Sequence, residues 1–114
     1  REDEARTAGQ LLGVEEVIFW REPDGAFRAT SANVLRLLDL LKSWNPTHLY
    51  VTHPGEMHPD HRGAARMVQR AVNQLNGARP RVLTYEVWTP LSQMSHIVDI
   101  SGHVERKLAA IQAH

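Results

Sequence analysis

The side chains able to do chemistry are concentrated in one stretch, Tyr50-Val51-Thr52-His53-Pro54-Gly55-Glu56-Met57-His58-Pro59-Asp60-His61-Arg62-Gly63. His58 and His61 stand three residues apart on what reads as the first turn of a helix, so both rings can face the same way. Asp60 between them can hold one imidazole by a hydrogen bond and fix which ring nitrogen carries its proton. A single loop histidine is ordinarily solvated surface. Two histidines and an aspartate in four residues, just past a short apolar strand, instead form the pattern of a site. In α/β folds, ligands and acid/base groups collect beyond the C-terminal ends of strands.

The elements that must position this stretch follow from hydrophobic period and stop signals. Glu4 to Leu12 carries Ala5, Ala8, Leu11 and Leu12 at helical spacing, with Gly13 as its stop. Val17-Ile18-Phe19-Trp20 reads as a short uncharged strand because β-branched and aromatic residues dominate it. Pro23-Asp24-Gly25 is a turn. Thr30 or Ser31 caps a helix whose apolar side holds Val34, Leu35, Leu37, Leu38, Leu40 and Leu41, ending at Asn45-Pro46.

Leu49 to Val51 is the buried strand that enters the histidine loop. Arg62 to Leu75 is helical, with Arg62, Arg66 and Arg70 recurring every four positions as a solvated face. Arg81 to Trp88 and Val98-Asp99-Ile100 read as strands, and Ser101 caps a last helix. The order α-β-α-β-α-β-α with short connections predicts a three-layer, Rossmann-like α/β domain around a mainly parallel sheet.

Composition removes several classes of function. The 13 basic and 13 acidic residues balance, which takes away the electrostatic case for nucleic acid or an anionic membrane surface. There is no cysteine, so neither a disulfide framework nor a thiolate metal site can form. A transition metal would have to be held by histidine and carboxylate, which suits zinc. No apolar run is long enough to span a bilayer and nothing reads as a signal peptide, so a cytoplasmic location is expected.

Taken together in order, several pieces resemble the LmbE/PIG-L family of zinc-dependent N-deacetylases. They begin with Arg1-x-x-Glu4 leading into Ala8-x-x-x-Leu12-Gly13-Val14, followed by Pro23-Asp24-Gly25 and by Val51-Thr52-His53. His58-Pro59-Asp60-His61 comes next, then Val87-Trp88-x-Pro90, Val98-Asp99-Ile100, and Lys107-x-x-Ala110-Ile111-x-Ala113-His114. The resemblance implies a Zn2+-activated water attacking the amide of an N-acetylated amino-sugar conjugate. It implies His61 as a zinc ligand, His58 as the group that stabilises the oxyanion or assists proton transfer, and Asp60 as the partner that keeps His58 charged or oriented. The family's H-P-D-D element, which carries its other ligands and general base, has no counterpart here. Residues 1–114 therefore read as a partial deacetylase domain, lacking N-terminal strands. With central strands absent, the isolated chain is expected to be marginally stable or to associate with itself as a homo-oligomer.

Two other readings compete. Glu56-x-His58-x-Asp60-His61 approaches the H-x-H-x-D-H element of metallo-β-lactamase-type hydrolases, with Glu in place of the first His. Separately, His53, Glu56 and His58 are available to complete a makeshift metal site beside His61. The second alternative is a non-catalytic binding module, with Trp20, Tyr85 and Trp88 available to line a carbohydrate surface. Packing in the core is the ordinary role for each of those aromatics.

Overall fold

A computed structural model describes residues 1–114, which divide into two compact units, 22–93 and the pairing of 1–21 with 94–114. Helix α1 (Glu2–Leu12) belongs to the second of these. It stops at Gly13, whose φ of 78° is the left-handed conformation that closes a helix. The Gly13 amide donates to the Gln10 carbonyl and the Val14 amide to that of Gly9, satisfying carbonyls the helix leaves open. The expected strand at Val17–Trp20 does not form: the segment is irregular and has no ladder partner. Side chains hold it to α1 instead. Arg21 makes a two-pronged bond to Glu2 (2.8 and 3.1 Å), and the Arg6 guanidinium lies 4.8 Å from the centre of the Phe19 ring.

The unit 22–93 contains the histidine stretch. Helix α2 (Ser31–Trp44) begins where the Thr30 side chain accepts the Asn33 amide, and ends at Asn45 in the left-handed conformation. Strand β1 (His48–Thr52) follows, then helix α3 (Pro59–Asn73), then strand β2 (Arg81–Tyr85). The strands pair in parallel, from His48 opposite Arg81 to Thr52 opposite Tyr85. This is a β-α-β unit, and the α/β class with a parallel sheet stands. α2 packs on α3, and α3 on β1. The buried apolar residues of these elements include Val34, Leu38 and Leu41 of α2, Ala65, Val68, Ala71 and Val72 of α3, and Val51 of β1. Leu35, expected on the apolar side of α2, is 54% exposed. Helix α4 (Val104–Ala113), in the other unit, packs on α1 after a 3-10 turn at Ser101–His103.

Two further strand assignments change. Val98–Ile100 forms no ladder. β2 ends at Tyr85 rather than Trp88, because the amides of Val87 and Trp88 turn away from the ladder to a carboxylate described below. The element order is thus α-α-β-α-β-α, with a 3-10 turn before the last helix. No helix is long and apolar enough to cross a membrane.

Backbone comes close to α3 at Gly63, buried on its second turn. A Cβ there would stand 2.9 Å from both Cδ1 and the carbonyl oxygen of Phe27. A ring can turn aside, but a carbonyl oxygen moves only with its chain. Gly63→Ala should therefore push the 24–28 segment off α3 and cost about 1–3 kcal/mol, as overpacking does. Chemical denaturation measures this as a lower midpoint at unchanged slope.

Candidate active site

β1 and β2 finish level with each other, so the segments leaving their C-terminal ends emerge side by side. Glu56 joins them. Its side chain is fully buried, with 1% of the residue exposed. The carboxylate accepts from the amides of Val87 (2.6 Å), Trp88 (3.0 and 3.3 Å) and Thr89 (3.4 Å). Burial alone would raise its pKa. The three amides and the neighbouring His61 outweigh that and hold it at about 2, below the ordinary 4.5. The stability this carboxylate contributes is thus present above pH 4.5 and lost as pH falls toward 2.

His53 makes the second link between the segments. Its Nε2 lies 2.7 Å from the Thr89 carbonyl oxygen and its Nδ1 accepts the Gly55 amide at 3.2 Å. A carbonyl can only accept, so Nε2 carries the proton and Nδ1 is the acceptor, the neutral tautomer. Both ring nitrogens are committed, and His53 is thereby a structural latch. In the other direction, the Met57 amide donates to the Thr89 hydroxyl at 2.8 Å. Arg62 braces the loop from the helix side by donating to the carbonyls of Glu56 and Met57. Thr52 Oγ1 donates to the His61 carbonyl at 3.0 Å, tying the end of β1 to the first turn of α3.

On that turn the sequence-predicted residues come together. His58 is the N-cap of α3, its Nδ1 accepting the Asp60 amide at 3.2 Å. Pro59 follows at a position where a missing amide proton costs nothing. The rings of His58 and His61 lie 4.9 Å apart. His61 Nδ1 is buried, makes no hydrogen bond, and lies 3.5 Å from Glu56 Oε2.

Asp60 differs from its expected use. One carboxylate oxygen accepts the Gly25 amide (2.8 Å) and the other the Phe27 amide (3.0 Å), so the side chain holds the 24–28 segment, and it is the Asp60 backbone that bonds to His58. Burial raises its pKa, but these amides, with His58 and Arg28, bring it below the usual carboxylate value. The cluster with metal-ligand spacing is Asp24, His58 and Asp60, whose ligand atoms lie within 4.8 Å of one another; His61 is outside it.

Trp88 completes the surroundings. Its ring stands nearly perpendicular to that of His58, 5.2 Å between centres, and 6.0 Å from that of His61. It is 63% exposed, and Tyr85 46%, so neither is the core residue that aromatics at a strand end ordinarily become. Glu56 is the residue whose part the sequence did not disclose. It was legible as a spare ligand, whereas its carboxylate is filled by amides from 31 to 33 positions away. The amide pair that receives Asp60 was equally hidden, because Pro23-Asp24-Gly25 signals only a turn.

Glu56→Gln would set an amide group against three backbone donors that need an acceptor. The melting temperature should drop by several degrees. In the same variant the amides of Val87 and Trp88 should lose hydrogen-exchange protection before those of β1, which NMR can follow residue by residue.

With that geometry established, similarity to known proteins carries weight. The crystal structure of the conserved protein TT1542 from Thermus thermophilus resembles this chain with a TM-score of 0.84 and 26% sequence identity, over 98% of this chain. The alignment spans 55% of the TT1542 chain. Residues 1–72, which include α1, the 24–28 segment and the His58-Pro59-Asp60-His61 turn, match the family described as PIG-L: GlcNAc-PI de-N-acetylase. A match over that much of the sequence places the chain in a family: it belongs to PIG-L.

Proposed function

We propose that this chain carries His58, Asp60 and His61 of a metal-dependent N-deacetylase site acting on the acetamido group of an amino-sugar conjugate. The observation that carries the reading is the pairing of His61 with Glu56. A histidine that ligates a metal through one ring nitrogen usually presents the other to a carboxylate or carbonyl, which fixes the ring and its tautomer. His61 Nδ1 is buried 3.5 Å from the Glu56 carboxylate and otherwise unpartnered, an arrangement that leaves Nε2 for a ligand. With no thiolate available, the histidine and carboxylate donors suit zinc or a similar divalent ion, which would supply Lewis acidity beside the scissile amide. Catalytic zinc ordinarily takes three protein ligands, and His61 supplies one of them.

His58 acts at the carbonyl. Its Nδ1 accepts a backbone proton, so the neutral ring carries its own proton on Nε2. That N–H can donate to the carbonyl oxygen as negative charge builds there, an interaction worth more in the transition state than in the ground state. Asp60 serves it through its backbone amide, which donates to Nδ1 and sets the ring's orientation. Trp88, largely exposed and beside both rings, is suited to stacking on the apolar face of a pyranose.

Acetate release from an N-acetylglucosaminyl amide tests the reading. A chelator should abolish turnover and zinc should restore it. His61→Ala should remove both bound metal, by elemental analysis, and acetate release; undiminished zinc content would sink the ligand assignment. Trp88→Ala should raise KM about tenfold with kcat little changed, the pattern of lost substrate binding, and Trp88→Phe should recover most of it.

A further inference from the structure

On a face of α3 that the deacetylase reading does not use, Arg62, Arg66 and Arg70 line a pocket of about 650 Å³ together with Arg28, which comes from the 24–28 segment. We infer that this pocket is an anion site for a phosphoryl group, either a phosphate ester or a phosphodiester. The spacing of four along α3 puts three guanidiniums on one side of the helix, where like charges repel. Arg28 adds a fourth from a different segment. No acidic residue lines the pocket, and none of the four arginines is ion-paired with a carboxylate. This contrasts with Arg6 and Arg21, which are paired with Glu2 or Asp3. Since the chain has equal numbers of acidic and basic residues, the concentration here is one of placement and not of composition.

The guanidiniums are also held in place. Arg62 donates to the carbonyls of Glu56 and Met57, Arg70 to that of Ala29, and Arg28 to that of Phe27. In each case the bonds come from Nη1 alone, so of the five N–H donors on each group those on Nη2 and Nε remain. Arg66 makes no hydrogen bond or ion pair and keeps its whole fork. Fixing three of the charges in advance lowers the ordering cost of binding. Thr30 and Gln69, also in the lining, add neutral donors. A carboxylate offers two oxygens in one plane, matched by one guanidinium. A tetrahedral phosphoryl group offers oxygens in several directions, as an array of arginines from two segments requires. The acidic side chain facing Arg28 is Asp60, both of whose oxygens already accept amides.

The test is titration of the full chain with inorganic phosphate at constant ionic strength, followed by calorimetry. Saturable binding is expected, about tenfold weaker in Arg66→Ala and only partly weakened in Arg66→Lys, which keeps the charge without the fork. Arg66 bonds to nothing in the chain, so its removal leaves the fold intact, as an unchanged melting temperature would verify. Arg106→Ala, on α4, should bind as the parent does. No saturable phosphate binding, or equal weakening by Arg66→Ala and Arg106→Ala, overturns the inference. Glycerol 3-phosphate and vesicles of phosphatidylglycerol in phosphatidylcholine separate the sources. Arg66-dependent binding of the first assigns a soluble ester, and of the second a lipid headgroup. Deacetylation plays no part in these readouts, so this inference and the proposed reaction can fail separately.

Discussion

The carboxylate of Glu56 is the constraint on which the site depends. A buried carboxylate is costly unless its charge is met, and here it is met by backbone amides instead of a cation. Filling it with the amides of Val87, Trp88 and Thr89 ends β2, sets the course of the chain beyond it, and brings Trp88 against His58 and His61. His53 and Met57 add bonds to Thr89 across the same gap. The loop and the segment after β2 thus form one cross-braced body at the end of the sheet. Such bracing holds the side chains it carries in one geometry.

A second carboxylate, Asp60 in the first turn of α3, repeats this chemistry toward the 24–28 segment. Its oxygens gather the amides of Gly25 and Phe27 as those of Glu56 gather three others. The loop before α3 and its first turn each carry an acid that acts as an acceptor for backbone amides. Beside them stand His58, oriented by the Asp60 amide, and His61, set against Glu56. One consequence is that the electrostatics and the packing of the turn cannot be altered independently. Gly63, pressed on Phe27, shows the same coupling in purely steric form.

Much of this was legible in the sequence where the signal is local. Helices α1, α2 and α3 follow the period of their apolar residues, and the stops at Gly13 and Asn45 use the backbone conformations that those residue types favour. His58, Asp60 and His61 could be selected from spacing alone, and the two histidine rings do share one turn. What failed depends on distant partners. Val17–Trp20 has the composition of a strand, but a strand exists only by pairing, and no neighbour is present. Trp88 looked like the end of an alternating strand until a carboxylate 32 positions earlier claimed its amide. Glu56 carries no pattern that separates an acid feeding on amides from one that binds metal or faces water. The row at Arg62, Arg66 and Arg70 was legible as a face of α3, with Arg66 and Arg70 exposed, but not that Arg28 joins it through the fold.

The Glu56 anchor recognises main chain, and every residue type except proline presents the same N–H. The scaffold that positions residue 88 is accordingly indifferent to which side chain it displays. A single substitution there can exchange an indole for a small, acidic or basic group while the loop keeps its course. Proline is the one residue that would remove the bond itself. What holds the backbone and what the side chain displays are thereby decoupled at this position.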